Sequence, residues 1–215
     1  MTQNLMTASL IILIAFIVSI FGIYISQFFL EKNEYRPSFI NFFIYFILSW
    51  FTFAQVSANF SILAPTLLIF GLIICCETDL QIMMIPTVIT VVGQILAPFL
   101  CYFTSWMLSP LESIVSGVGA WLIMWAIGKI FLKIKNKEGL GLGDADIIAL
   151  IAAYVGLLSS IRIIFIASLM GVCYVAAAYL TTRKIIAKLP FGPFLSLACL
   201  LQISYPQLFK LILGW

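Results

Sequence analysis

Residues 8–30 of the chain have the sequence ASLIILIAFIVSIFGIYISQFFL, an apolar run without a charged side chain. Its length matches the roughly 20 apolar residues that a helix needs to cross the hydrocarbon core of a bilayer. The run is too long for the apolar part of a signal peptide, has no basic residues before it and is followed by no A-x-A-like cleavage site. We therefore expect a retained transmembrane helix here.

Further apolar runs, separated by short polar segments, continue along the whole sequence. Hydrophobic residues make up 64% of the 215 residues and charged residues only 9%, whereas a soluble domain has about 25% charged residues. The sequence thus predicts an all-α, polytopic integral membrane protein with about eight transmembrane or membrane-embedded helices. The predicted segments are 8–30, 39–56, 61–76, 86–108, 113–132, 145–158, 162–182 and 191–213.

The charged residues are too sparse and scattered to form a separate soluble domain, so we expect one membrane domain over residues 1–215. Residues 1–60 would supply an N-terminal helix pair, and residues 61–215 the rest of the core. The third and sixth segments are shorter than the roughly 20 residues of a full span. They are expected to be tilted or to start inside the bilayer.

The basic residues predict the orientation of the chain. If the loop around Lys32 and Arg36 is cytoplasmic and each segment crosses once, nine of the 11 lysines and arginines fall on that side. Only Arg162 and Lys210 fall on the other, which is a clear positive-inside bias. Seven of the eight acidic residues also fall on the cytoplasmic side, Glu112 being the exception. Polar chemistry is therefore expected at the cytoplasmic face.

The composition excludes several kinds of site. The chain has no histidine, which excludes Ser-His-Asp and Cys-His mechanisms and removes the commonest zinc ligand. Its five cysteines lie in apolar runs without a CxxC pair, so we expect buried apolar side chains. No metal, no cofactor and no nucleic acid is predicted. The basic cluster at 129–137 is expected to touch anionic lipid.

The stretch ETDLQIMMIP, residues 77–86, contains the first candidate site residue. Asp79 lies at the inner end of the third predicted segment, and Pro86 begins the fourth. An ionised carboxylate at the edge of a membrane is costly, which makes Asp79 a candidate functional residue. The alternative is an interfacial carboxylate that faces water at a helix end.

The stretch EGLGLGDADII, residues 138–148, contains the second. Glycines precede Asp144, and a helix is expected to begin near this residue, where free N–H groups and the helix dipole favour a carboxylate. The alternative is an N-cap aspartate after a flexible loop. No Lys-Ser or Lys-Thr follows the glycines, which disfavours a phosphate-binding loop.

Together the two stretches predict more than either does alone. The expected topology puts Asp79 and Asp144 on one side of the membrane at similar depth. Paired carboxylates that share a proton can hydrolyse a peptide bond, because one activates water and the other protonates the carbonyl. We expect the pair to lie apart without substrate and to close on it. The competing hypotheses are a small transporter or channel and an inactive assembly factor.

The chain also resembles a known family. The chain is similar to the prepilin peptidases in four features of its sequence. These are Gly141-Leu142-Gly143-Asp144 at the start of an apolar helix, Asp79 seven residues before Pro86, and the runs 137–144 and 189–198. These are membrane aspartic proteases of the GxGD type that process type IV pilins and pseudopilins. The resemblance covers about residues 62–205. It implies that Asp79 and Asp144 are catalytic and face the cytoplasm at the bacterial inner membrane.

The resemblance also implies a substrate and partners. The substrate is a prepilin or pseudopilin whose short basic leader is joined to an apolar helix, cleaved after the glycine that ends the leader. Membrane lipid is the other expected partner, and a homo-oligomer is left open. The residues expected to support the site are Pro86, Gly141, Gly143, Pro190 and Gly192.

Three acidic residues are candidates for binding a basic leader. For Glu77 and for Glu138, the alternative is an ordinary charge at the membrane interface. Asp146 follows Asp144 by two positions, so it points to a different helix face, and it is expected to be a solvated or leader-binding charge. The family often has a lysine at this position.

The chain departs from many bacterial family members in its first loop. Those members carry a large cytoplasmic insert there, with paired CxxC motifs and an N-methyltransferase activity. The loop here is only about Glu31 to Ser38 and has no cysteine. We therefore expect a peptidase without a methyltransferase module.

Overall fold

The computed structural model describes residues 2–29, 39–55, 63–104, 107–135, 141–183 and 188–207. All regular structure in these ranges is helical, which confirms the predicted all-α fold with about eight helices. The helices are α1 (Thr2–Phe29), α2 (Phe39–Gln55), α3 (Leu63–Ile82), α4 (Thr87–Thr104), α5 (Pro110–Lys135), α6 (Leu142–Val155), α7 (Leu157–Thr182) and α8 (Gly192–Ser204).

Four of these helices are long and apolar enough to cross a membrane, namely Leu63–Ile82, Thr87–Thr104, Pro110–Lys135 and Leu157–Thr181. Large apolar side chains such as Phe103 on α4, Ile134 on α5 and Leu180 on α7 are exposed. Exposed apolar surface of this extent is typical of helices that face lipid. The chain is therefore a multi-pass membrane protein with α4, α5 and α7 on its outside.

Helix α6 lies at the centre of the bundle. Every side chain from Ala145 to Val155 is buried, and α6 packs against α3, α4, α5, α7 and α8. At 14 residues it is as short as predicted, and the surrounding helices cover it. From Ala145 onward the helix is consequently held by protein contacts on several sides.

Small residues let the neighbours of α6 approach closely. A Cβ added to Gly117 of α5 would lie 3.1 Å from the Cβ of Ala153, and one added to Gly93 of α4 would lie 2.5 Å from Cδ1 of Leu150. Ser113 also donates a hydrogen bond of 2.7 Å to the carbonyl of Ala153. Close backbone approach and interhelical hydrogen bonds are what drive helix association in lipid, so α5 and α6 form a tight pair.

Helices α1 and α2 pack on the opposite side of α3. Their contacts form a second apolar cluster, which includes Ala15, Val18, Tyr45, Ile73 and Leu200. Helix α3 therefore lies between this cluster and the main core around α6, which explains why its side chains are buried without interruption from Gly71 to Asp79.

The third helix is longer than predicted. It extends through Ile82 and has 20 residues, so Glu77 and Asp79 lie inside a helix and the expected short segment 61–76 is wrong. Thr78 donates to the carbonyls of Ile74 and Cys75, and this bonding within the helix accommodates a polar residue among apolar ones. The connection to α4 consists only of residues 83–86.

The boundary between the sixth and seventh helices also differs from the prediction. Helix α7 begins at Leu157 rather than at 162, and a single residue, Gly156, separates it from α6. Gly156 has a φ of 89°, a conformation that glycine adopts without steric cost. Arg162 consequently lies inside α7, where it is buried, and not in the expected loop.

Candidate active site

A cleft of about 780 Å³ opens between the end of α3, the start of α6 and the segment before α8. Asp79 and Asp144 both line it, so the structure brings together the two carboxylates that the sequence singled out. The other lining residues are Ile82, Met83, Met84, Ile85, Thr87, Gly141, Gly143, Lys188, Leu189, Pro190 and Phe191. The carboxylates thus face a shared space large enough for a peptide segment.

Asp79 lies in the last turn of α3 and is only 5% exposed. The backbone N–H of Gly192 donates a hydrogen bond of 2.8 Å to its Oδ2. Gly192 is the first residue of α8, so the positive end of that helix points at the carboxylate. Burial of a carboxyl group disfavours its ionised form, and a backbone N–H at a helix N-terminus offsets part of that cost.

Gly192 is required for this close contact. A Cβ at this position would lie 2.9 Å from Oδ2 of Asp79 and 3.3 Å from its Cβ, which is closer than real Cβ contacts allow. Pro190 lines the same cleft. The structure therefore places Pro190 and Gly192 beside the carboxylates, where the sequence predicted them.

Asp144 is held in the first turn of α6. The helix begins at Leu142, with Gly141 as its N-cap, so it starts two residues earlier than the expected position near Asp144. The N–H of Asp144 donates to the carbonyl of Gly141 at 3.1 Å. Gly141 has an ordinary extended backbone, with φ −68° and ψ 140°. A Cβ added there would lie 3.4 Å from Oδ2 of Asp144, so the absence of a side chain leaves room for the carboxylate.

The surroundings of Asp144 favour its protonated form. Burial and the nearby negative charge of Asp79 raise the pKa of Asp144 to about 6, against the opposing effect of a hydrogen bond with the Gly141 backbone. A carboxyl group with a pKa near the working pH can donate a proton in catalysis. The two carboxylates therefore differ in their contacts: Asp79 accepts a backbone N–H at the start of α8, and Asp144 lies in the first turn of α6.

No hydrogen bond joins the carboxyl groups of Asp79 and Asp144 within the part of the chain that the structure describes. Asp79 accepts from Gly192 instead, and the influence of Asp79 on Asp144 is electrostatic. Closure of the pair on substrate stays a prediction.

The connection between α3 and α4 covers the first turn of α6. A Cβ added to Gly143 would lie 3.0 Å from the Cβ of Ile85, so the glycine lets the two segments touch. Met83 has a φ of 53°, and its N–H closes α3 by donating to the carbonyl of Asp79 at 3.0 Å. The carbonyl of Pro86 accepts from Ile89 at 3.0 Å, which starts α4. Gly143 thus lies in the wall of the cleft, and Pro86 lies between two residues of that wall, Ile85 and Thr87.

Asp146 is not the solvated charge that was one expectation for it, and leader binding by this residue stays a prediction. It is 8% exposed, its Oδ1 accepts a hydrogen bond of 2.9 Å from Nε1 of Trp121, and its Oδ2 accepts one of 3.1 Å from Thr87. Two positions along α6 turn this side chain away from the cleft toward α4 and α5. Asp146 joins three helices directly behind Asp144.

Glu77 is also enclosed, which an ordinary interfacial charge would not be. Its carboxylate is 0% exposed. It accepts hydrogen bonds from the Tyr45 hydroxyl at 2.6 Å, from Asn41 at 3.1 Å and from Gln81 at 3.3 Å. These bonds tie α2 to α3, and leader binding by Glu77 stays a prediction. The third candidate of this kind, Glu138, lies outside the described residues, as does the loop Glu31–Ser38.

Of the described residues, the charged ones that line the cleft are Asp79, Asp144 and Lys188. Among the described residues, no group of three or more His, Cys, Asp or Glu side chains is placed to hold a metal ion. All five cysteines are free, and only Cys173 is exposed. The arrangement suits proton transfer between a pair of carboxylates and a substrate that enters from the cleft.

The fold and the site define a class of protein, a polytopic membrane protein with paired carboxylates in a cleft at one end of its helix bundle. Residues 66–176 match the sequence model of the type IV leader peptidase family. This range covers just over half of the 215 residues and includes Asp79 and Asp144. The chain belongs to the type IV leader peptidase family.

Several curated relatives carry the name prepilin leader peptidase/N-methyltransferase. The protein of Escherichia coli K12 is 34% identical over 92 residues, which is 42% of this chain and 39% of the relative. That of Aeromonas salmonicida A449 is 26% identical over 157 residues, or 71% of this chain and 52% of the relative. The matches thus span about half or less of these relatives. No solved structure matches the chain significantly.

Proposed function

We propose that the protein is a membrane-embedded aspartic endopeptidase that removes the short basic leader from type IV prepilins or pseudopilins. The observation that carries the proposal is the shared cleft of Asp79 and Asp144, within a chain of the leader peptidase family. The substrate class is taken from the name of the relatives, which are prepilin leader peptidases.

The environments of the two carboxylates support a division of roles. Asp79, next to the Gly192 N–H, is the ionised member and takes a proton from a water molecule. The water oxygen attacks the scissile carbonyl carbon while Asp144, with its pKa raised to about 6, gives its proton to the carbonyl oxygen. A tetrahedral diol results, and Asp144 is now ionised.

Collapse of the diol completes the reaction. The bond between carbon and nitrogen breaks as Asp79 gives the proton taken from water to the leaving amine, and a hydroxyl proton of the diol returns to Asp144. The leader leaves with a new carboxyl group and the pilin with a new amino group. The pair ends with the single proton it began with, and its titration belongs to both residues together.

We also propose that the cleft faces the cytoplasm at the bacterial inner membrane. Lys133 and Lys135 end α5, Arg183 follows α7, and Lys188 lines the cleft. Basic residues near the ends of membrane helices favour the cytoplasmic side, and these lie at the end of the bundle that carries the two carboxylates. The absence of CxxC in the sequence supports a peptidase without methyltransferase activity.

The test is cleavage of a short-leader prepilin by the purified protein in lipid vesicles, followed by N-terminal sequencing of the product. Asp79→Asn and Asp144→Asn should each abolish cleavage while the protein stays in the membrane. Glu112→Gln is the matched control, since Glu112 is a carboxylate of the exposed Ser109–Glu112 pair at the start of α5. Wild-type rates in both aspartate variants would contradict the dyad. Methylation of the product by the purified protein with S-adenosylmethionine would contradict the proposal that the peptidase lacks methyltransferase activity.

A further inference from the structure

We propose, building on the function above, that a groove along α7 holds the apolar helix of the substrate while its leader junction lies in the cleft. The groove has a volume of about 640 Å³ and is formed by one face of α7, from Ser168 to Tyr179, with Leu189 and Phe191 opposite. It is separate from the carboxylates and is not needed for the chemistry itself.

The groove is continuous with the cleft. Leu189 and Phe191 are walls of both. A chain lying along α7 therefore reaches Asp79 and Asp144 by passing these two side chains, without crossing another helix. This continuity favours a substrate segment as the occupant of the groove. A lipid acyl chain is less suitable, because its apolar carbons gain nothing from a groove that leads to a pair of carboxylates.

The shape of the groove fits a helix. Its α7 positions recur every three or four residues and so lie on one face, and the eleven steps from Ser168 to Tyr179 cover about 16 Å, or three turns. Gly171 and Ala176 are among them. Small side chains of this kind allow a second helix to pack closely in a membrane.

The chemistry of the groove fits an apolar segment. Val172 and Val175 line it, and the hydroxyl of Ser168 is already bonded to the carbonyl of Ile164 at 2.7 Å. None of the described side chains that line the groove is charged. The basic leader therefore has no partner in the groove, whereas the apolar helix that follows the leader does. The groove would recognise the part of the substrate that is not removed.

Two neighbouring alanines allow a matched test. Ala176 lines the groove, while Ala177 is also exposed on α7 but is turned away by about 100°. Ala176→Leu should fill the groove and raise the KM for prepilin by about fivefold or more while kcat changes less than about twofold, since this residue does not touch the reacting atoms. Ala177→Leu should leave both constants within about twofold of wild type. Thermal unfolding should be the same in both variants.

Cross-linking gives a second measurement. In a Cys173→Ser background the remaining native cysteines are buried, so a benzophenone maleimide can be attached at Ala176→Cys or at Ala177→Cys. Prepilin should be cross-linked from position 176 and not from 177. Two results would overturn the proposal that the groove binds the substrate helix. One is equal kcat and KM for the two leucine variants, and the other is cross-linking from position 176 to lipid or to a second copy of the protein but not to prepilin. If wild type cleaves prepilin in that case, the proposed peptidase function stands; if wild type does not cleave, both fail.

Discussion

The backbone N–H of Gly192 lies 2.8 Å from Oδ2 of Asp79, although 113 positions separate them in the chain. This bond joins the start of α8 to the end of α3. The donor belongs to the backbone, so no side chain can replace it, and any Cβ at position 192 would press against the acceptor. The carboxylate of Asp79 is therefore positioned by the path of the main chain.

Gly192→Ala should lower kcat by about 10- to 100-fold with little change in KM, because a displacement of a catalytic group by about 1 Å has effects of this size. The measurement is steady-state cleavage of prepilin. Gly119→Ala is the control, since a Cβ there would meet only an ordinary contact of 4.0 Å with Leu157. Full activity in Gly192→Ala would refute the role of this bond.

The pH dependence of cleavage should be bell-shaped. The pKa of Asp144 is raised to about 6, so its proton is present below that pH and is lost above it, and kcat/KM should fall on the alkaline side. On the acid side the rate should fall as the ionised partner becomes protonated. The measurement is kcat/KM from acid to alkaline pH with chemistry limiting. A flat profile would remove the shared-proton mechanism.

Asp146 should matter for stability rather than for leader binding. Asp146→Asn keeps an acceptor for the Trp121 N–H and should retain measurable activity. Asp146→Ala leaves that indole N–H and the Thr87 hydroxyl without their partner. It should lower the free energy of unfolding by about 1–3 kcal/mol or more. The measurement is thermal unfolding in detergent together with the KM for substrates of different leader charge. A KM that rises with leader charge only in the Asp146 variants would restore the leader-binding role.

Tyr45→Phe tests the enclosed Glu77. Loss of the 2.6 Å hydrogen bond leaves a buried carboxylate with fewer donors and should lower the free energy of unfolding by about 1–3 kcal/mol. Tyr24→Phe is the control, because Tyr24 is 69% exposed on α1. Equal unfolding temperatures for the two variants would show that the Tyr45 bond adds no stability.

Labelling of single cysteines tests the topology. Reagents applied from the cytoplasmic side should reach Arg183→Cys, and reagents applied from outside should reach Glu112→Cys, in the Cys173→Ser background. The prediction rests on the asymmetry of the basic residues. If position 183 is labelled only from outside, the chain has the opposite orientation in the membrane and the prediction is wrong.

The sequence predicted the helices and the carboxylate pair because both depend on local patterns. Asp79 and Asp144 stood out since charges are rare and costly in such a chain. The roles of Glu77 and Asp146 could not be predicted, because their burial depends on Tyr45, Trp121 and Thr87, which lie far from them in sequence. Nothing in the local sequence distinguishes Trp121 from the other aromatic residues of the chain. The extension of α3 was missed because three polar residues at 77–79 suggested a helix end.

Helix α6 has 14 residues, a length of about 21 Å, while the hydrocarbon layer of a bilayer is about 30 Å thick. A lipid-facing helix of this length would suffer hydrophobic mismatch. Because the side chains of residues 145–155 are buried among other helices, lipid does not set the depth of α6. Changes in acyl-chain length therefore reach the carboxylate at the start of α6 only through the lipid-facing helices α4, α5 and α7 that pack against it.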